Sequence, residues 1–340
     1  MVALEDQGAE AVKVARALVG GAVEVSPLVT GGRNSRIWRV RSGARMFALK
    51  QYPSRRNDSR DRLAVEIGAL RLMERCQIDT VARVVSIDAE RGYALLTWID
   101  GSDVDEVHDA DIDAAFVFLS AIHALRVTPW AAEQPLAAEA CLSGREIERQ
   151  LCARLELLRA LGGEPELYDF LEDFFGPRVA ESIGEARRLC ADGGLDFTTE
   201  LPQEWRSVVP SDFGFHNCMR RSDGSLAFVD FEYFGWDDPV KLVADMLLHP
   251  GRTLSSTQSM KLRSEAVRLY GNDAAFDLRL SAYLPLFGLR WVLILLNEFL
   301  PERWQRRVLA GDRSSWTDAK TRQLARARAF LTSLSQKLGN

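Results

Sequence analysis

Asp212 and Asn217, in Val209-Pro-Ser-Asp212-Phe-Gly-Phe-His-Asn217, form the only D-x-x-x-x-N spacing in the chain. A third oxygen-bearing residue, Asp230, ends the apolar run Leu226-Ala-Phe-Val229 thirteen residues further on, and Arg221-Ser-Asp-Gly-Ser225 between them is a turn signal. Two strands joined by that turn bring Asn217 and Asp230 to one end of a hairpin. There they could share an Mg²⁺, which takes few carboxylates and leaves its other positions to phosphate and water. Asp212, in the loop before them, is free to accept a hydroxyl proton. The chemistry this implies is phosphoryl transfer, which also needs backbone amides around the phosphates and a cation on them.

The elements that would position these groups divide the chain in two. The first hundred residues read as strands with one helix. Arg36–Arg41 alternates in polarity, Ser42-Gly43 is a turn, and Met46–Lys50 is a second strand. Arg62 to Arg75 has Leu63, Ile67, Leu70 and Met73 at helical spacing, and Val81–Ile87 and Tyr93–Thr97 are further strands. After Asp100-Gly101-Ser102 the pattern turns helical: Ile112–Leu125, Arg145–Leu161, Leu167–Ala191, Pro239–Leu248, Ser259–Tyr270, Ala275–Leu300 and Asp318–Leu338, interrupted by a β-rich stretch from Ser207 to Phe231. The expected organisation is α+β: residues 1–99 form a small antiparallel-sheet lobe, residues 100–340 a large mainly helical lobe, with a ligand cleft between them.

The segment from Asp212 to Asn217, with Val229-Asp-Phe-Glu-Tyr-Phe-Gly-Trp-Asp-Asp-Pro239, resembles the catalytic and metal-binding motifs of the aminoglycoside phosphotransferase and choline kinase superfamily, which has a bilobal protein-kinase-like fold. The resemblance implies Asp212 as catalytic aspartate, with Asn217 and Asp230 as metal ligands. Leu28-Val-Thr-Gly31-Gly32-Arg-Asn34-Ser35 is similar to the family's nucleotide loop, whose glycines let N–H groups close on phosphate oxygens. Lys50, ending a strand, and Glu66, in the following helix, match the lysine–glutamate pair that aims a cation at the α/β-phosphates in kinase-like folds. Tyr93–Gly101 is similar to the family's strand and hinge, with Thr97 and Ile99 placed to bind adenine through their backbone. The implied cofactors are ATP or GTP and Mg²⁺. Two positions depart from the pattern. The histidine usual two residues before the catalytic aspartate is Pro210, and the aspartate usual three residues after D-P is Leu242, with Asp245 three further on.

Composition sets the remaining bounds. The 340 residues carry 43 basic and 48 acidic side chains, a formal charge of −5, which gives no support to nucleic-acid binding. Five unpaired cysteines point to reduced thiols, and the acidic start of the chain shows no secretory pattern, so a cytoplasmic protein is expected. The apolar run Trp291–Leu296 reads as a buried helix segment too short to span a bilayer. No A-P-E-like segment follows Asp230 and Phe-Glu replaces Phe-Gly after it, which disfavours a protein kinase. The acceptor is left open among aminoglycosides, choline-like amines, sugars and amino alcohols. Glu232, Trp236 and Asp238 are the candidate acceptor contacts, Asp238 having a helix cap at Pro239 as its alternative role. A nucleotide-binding protein without catalysis is the competing reading, and the oligomeric state is not legible.

Overall fold

The computed structural model describes residues 2–28, 35–53, 60–309 and 314–338. The sequence expected near Gly31, Gly32 and Asn34 to form the nucleotide loop lies outside them. Five strands, β1 (Glu24–Pro27), β2 (Arg36–Ser42), β3 (Arg45–Gln51), β4 (Val84–Asp88) and β5 (Tyr93–Thr97), form one antiparallel sheet in the order β1-β2-β3-β5-β4. Strand periodicity sorts its two faces. Phe47 and Leu49 of β3, Trp38 and Val40 of β2, and Tyr93 and Leu95 of β5 pack into one cluster with Ala11, Val14 and Ala15 of helix α1 (Val2–Val19). The alternate residues Ala48, Lys50, Ile37 and Leu96 face the cleft instead. Lys50 therefore sits on a strand paired on both sides, with Ile37 and Ala94 as its neighbours.

Helix α1 was absent from the sequence expectation, which held a single helix in this region. Its signal is Ala11, Val14, Ala15 and Leu18 at i, i+3, i+4, i+7, a weak stripe because two of the four are alanines. Helix α2 (Arg62–Arg75) follows the anticipated spacing, starting from Asp61, whose carboxylate accepts the Ala64 N–H at 3.0 Å. It buries Leu63, Ile67, Leu70 and Met73, and also Glu66.

Beyond a short strand β6 (Ser102–Asp103) the chain is mainly helical: α3 (Asp109–Ala124), α4 (Gly144–Arg159), α5 (Pro165–Asp169), α6 (Gly176–Asp192), α7 (Pro239–Leu248), α8 (Ser256–Tyr270), α9 (Phe276–Leu295), α10 (Pro301–Leu309) and α11 (Trp316–Leu338). Helix α9 packs against α4, α6, α7 and α11. With the turn after it, α9 is apolar over Phe276–Phe299, longer than the short run expected and long enough to cross a membrane, but most of that stretch is buried in the protein's own core. Between α6 and α7, β7 (Ser207–Val209) pairs with β10 (Gly235–Asp237), and β8 (Cys218–Arg220) pairs with β9 (Leu226–Phe228) as the anticipated hairpin. Gly224 takes φ +84° in its turn, a conformation that costs glycine little. All five cysteines are free thiols.

Candidate active site

The hairpin fixes two of the expected residues at one end. The Val229 N–H donates to the Asn217 carbonyl at 3.0 Å, so Asn217 and Asp230 leave the ladder side by side. Asp230 has φ +69° and Ser211, preceding Asp212, has φ +67°. Left-handed backbone at non-glycine residues costs about 1–3 kcal/mol and persists only where neighbours enforce it. For Ser211 the enforcing neighbour is visible. Buried Lys241 of α7 donates to the Ser211 hydroxyl at 3.1 Å and to Asp245 at 2.9 Å, and the Trp291 indole N–H donates to Asp245 at 2.9 Å. Asp245 thus supports the Asp212 loop through Lys241, in a chain that has Pro210 and Leu242 where the family pattern has histidine and aspartate.

Asp212 is a cleft residue with 38% of its side chain accessible. His216 Nε2 lies 3.3 Å from its carboxylate, and the His216 ring stacks on His249 with centroids 3.8 Å apart. Enclosure would push the Asp212 carboxyl up. His216, and then His249 and Lys241, outweigh that and hold it down to about 2. Asp212 is therefore ionised throughout the neutral range. The Asn217 side-chain amide donates to the Asp212 carbonyl at 2.8 Å, which ties the loop to the hairpin.

On the opposite wall the Lys50 ammonium lies 2.6 Å from Glu66 and 2.6 Å from Asp230, with Glu232 at 3.8 Å. Burial works against this charge, but Asp230 and Glu66 more than compensate, so the Lys50 pKa is raised. Burial and the Asp230 charge push the Glu232 carboxyl up, while Lys50 and Arg62 pull it back. Thr97, Trp98 and Ile99 line the same cleft, but the Thr97 N–H is committed to the Arg83 carbonyl at 2.9 Å and its hydroxyl to the Arg83 N–H. The cleft, about 660 Å³, thus gathers Ser35, Lys50, Glu66, Asp212, Asn217 and Asp230.

The three candidate acceptor contacts fare differently. None of Glu232, Trp236 and Asp238 lines the cleft. Glu232 is 2% exposed, bonded to Arg62 and accepting the Ser35 hydroxyl at 2.9 Å. Trp236 lies in β10 with its indole N–H on the Ala131 carbonyl at 2.9 Å. Asp238 caps α7 through the Val240 N–H and is ion-paired with Arg279 at 2.9 Å. Each serves the packing between elements, a duty that local motif spacing cannot distinguish from substrate contact. His216, His249, Lys241, Arg290 and Trp291 line the cleft without having been placed in the site by sequence. His216, inside the motif, Arg290, a polar interruption of an apolar helix, and Trp291, a candidate wall for a cationic ligand, carried a signal, while His249 and Lys241 carried none.

These residues are brought together by a chain that belongs to the phosphotransferase enzyme family, whose model matches residues 24–280. No curated protein matches by sequence. Among solved structures the chain is similar to choline kinase LicA from Streptococcus pneumoniae, at 14% identity and TM-score 0.56 over 94% of this chain and 97% of that one. It is also similar to an ethanolamine kinase from Plasmodium vivax, at 12% identity and TM-score 0.57, covering 94% and 85%. A spectinomycin phosphotransferase in complex with ADP and spectinomycin matches at 10% identity and TM-score 0.60, covering 92% and 97%. The protein-kinase-like fold is shared with all three, and the expected class, a small-molecule kinase, agrees with the family.

Proposed function

We propose that the protein transfers the γ-phosphate of ATP or GTP, with Mg²⁺, to a hydroxyl of a small molecule bound in the cleft. The observation that carries this reading is the convergence of the Lys50–Glu66 pair, Asp230, and the Asp212–Asn217 loop on one cavity, although they come from three separate segments of the chain. Lys50 would lie on the phosphates. The backbone around Trp98 and Ile99 would meet the base, since the Thr97 N–H is already used. Gly31, Gly32, Asn34 and Ser35 would close over the phosphates.

Asn217 and Asp230 suit Mg²⁺ as hard oxygen donors, and Asn217 spends its N–H₂ on the Asp212 carbonyl, which leaves its side-chain oxygen to a cation. Bound Mg²⁺ would neutralise charge on the phosphate oxygens. Asp212, ionised and held beside His216, orients the acceptor hydroxyl and takes its proton as the new O–P bond forms.

The test is ADP release over aminoglycosides, choline-like amines, sugars, amino alcohols and hydroxy acids, with nucleotide affinity measured by calorimetry. Asp212→Asn should lower transfer by roughly 10²- to 10⁴-fold and leave nucleotide affinity unchanged. The amide keeps the shape but cannot take a proton. If affinity and transfer fell together, Asp212 would be a metal or structural residue. If nucleotide bound and no acceptor supported turnover, the protein would be a nucleotide binder without catalysis.

A further inference from the structure

Across the cleft from Lys50, the wall contributed by residues 138–326 is rich in positive charge. Arg154, Arg252, Arg290, Arg303, Arg307 and Arg326 line it together with Lys241, against the four carboxylates Glu139, Asp212, Asp230 and Asp245. The whole chain has the opposite sign, −5. A cleft lined by one sign of charge draws ligands of the other.

The partners of these groups sharpen the argument. Each carboxylate is engaged. Glu139 accepts from both Arg154 at 2.6 Å and Arg290 at 2.8 Å, Asp245 accepts from Lys241 and Trp291, and Asp212 sits on His216. Burial would raise the Glu139 carboxyl, but Arg290, Arg154 and Lys241 hold it down to about 2. Not every cation is matched by a carboxylate of its own. Arg154 and Arg290 share the one carboxylate, and the Arg290 side chain is 7% exposed with a buried Nε that has no hydrogen-bond partner. Arg252 donates to the carbonyls of Val104 and Gly251 and lies 3.6 Å from Asp105, and Arg307 is ion-paired with Glu298 at 2.8 Å, but Arg326 donates to the neutral oxygen of Gln323 at 3.4 Å. Glu139 itself has φ +58°, a strained conformation at the centre of the arginine pair.

The aromatic residues give a cationic acceptor no cage. Tyr233 has the guanidinium groups of Arg60 and Arg62 over its ring, Phe234 is fully buried, and Trp291 meets His249 edge to face.

We infer that the acceptor carries an anionic group, a carboxylate or a phosphate ester, beside its reactive hydroxyl, held on the arginine wall around Arg290 and Arg326. This rests on the phosphotransferase reading. A planar guanidinium binds either anion through paired N–H donors, and charge-assisted bonds of that kind are about twice as strong as neutral ones. An ammonium-bearing acceptor at this wall would meet like charge, with Glu139, Asp212 and Asp245 already engaged, and a neutral polyol would leave the excess charge unmatched.

The test uses four ligands built on one ring, glucose, glucosamine, glucuronate and glucose 6-phosphate, titrated calorimetrically into the full-length protein loaded with AMP-PNP and Mg²⁺. Glucuronate or glucose 6-phosphate should bind at least tenfold more tightly than glucosamine, and whichever of the two leads tells carboxylate from phosphate. Arg326→Gln should weaken the leading anion about tenfold without changing AMP-PNP affinity, and added salt should narrow the gap between anion and cation. Glucosamine binding as tightly as the anions, or four ligands that bind alike or not at all, would overturn the inference. Failure of AMP-PNP to bind would instead remove the phosphotransferase reading and this inference with it.

Discussion

At Lys50 three carboxylates, Glu66, Asp230 and Glu232, crowd one ammonium, their ligand oxygens all within 4.8 Å of one another. The arrangement makes the lysine the counter-charge that lets Glu66, 2% exposed, remain in the core, and under the proposed function it would also contact the phosphates. Lys50→Ala should therefore do two things. It should reduce kcat/KM for nucleotide by about 10²-fold or more, because a fixed cation in a water-poor cleft is worth several kcal/mol to the transferring phosphate. It should also lower the melting temperature, because it leaves the buried Glu66 carboxylate without its counter-ion. Glu66→Gln removes only the positioning partner while Asp230 still holds the ammonium, so its effect on nucleotide use should be smaller. Steady-state kinetics and melting curves on the two variants check the order, and a larger kinetic loss in Glu66→Gln would contradict it. That Asp212, Asn217, Asp230, Lys50 and Glu66 share one cleft was legible in the sequence, because the phosphoryl transfer proposed here calls for those residue types at short, recurring spacings. The cleft cations Arg303 and Arg326 could not be picked out, since nothing local separates an arginine facing a cavity from one facing water.

The elements that were legible are those whose periodicity is complete. β2 alternates in polarity, α2 has clear helical spacing, and β3, β5 and the strands of the β8–β9 hairpin are short apolar runs bounded by turn signals. Helix α1 and the short α10 were missed, the first for its alanine-rich face and the second because its apolar residues are sparse. The junction of β10 with α7 shows a further limit: Asp237 and Asp238 look alike in sequence and differ in role. Asp238 is a capped and ion-paired carboxylate. Asp237 is wholly buried, with one oxygen accepting the Cys141 and Asp238 N–H groups and the other without a partner. Burial outweighs Lys241 and raises its carboxyl to about 7. A carboxyl whose folded pKa is raised binds more protons folded than unfolded, so its contribution favours folding at low pH and is lost as pH climbs from the ordinary value near 4 through 7. The Asp237→Asn protein keeps the accepting oxygen and has no proton to lose. Its melting temperature, plotted against pH from 4 to 8, should lack the decline that this group gives the parent protein. Parallel curves for the two would show that Asp237 does not titrate in that window.

At the scale of the whole molecule, the sheet region and the helical region are joined by more than the chain at Trp98–Ser102. The Phe228 N–H donates to the Thr80 carbonyl at 2.8 Å, Lys50 reaches Asp230, and Arg62 of α2 is ion-paired with Glu232 in a setting where the two side chains are 1% and 0% exposed. Glu232 also accepts the Ser35 hydroxyl, so one buried carboxylate connects the segment after Asp230, the start of α2, and the residue beside the expected nucleotide loop. This is the role the residue has in place of the acceptor contact its sequence context suggested, and it has a measurable consequence. A buried ion pair contributes little net stability against an apolar pair of similar size, because desolvating both charges offsets their attraction. Removing Arg62 is different, since the Glu232 charge left behind is out of water with only the Lys50 ammonium, 3.8 Å away and already shared with Glu66 and Asp230, to offset it. Arg62→Met alone should therefore cost about 3–5 kcal/mol in urea denaturation. Arg62→Met with Glu232→Leu should cost less than the sum of the two single changes, because the second substitution removes the stranded carboxylate. The coupling should be accompanied by weaker nucleotide binding in Arg62→Met, as Ser35 and Lys50 both adjoin the freed carboxylate. A cycle in which the two losses simply add would mean that Arg62 and Glu232 do not bear on each other. The clamp between the two regions would then have to reside in Lys50 and Asp230 alone.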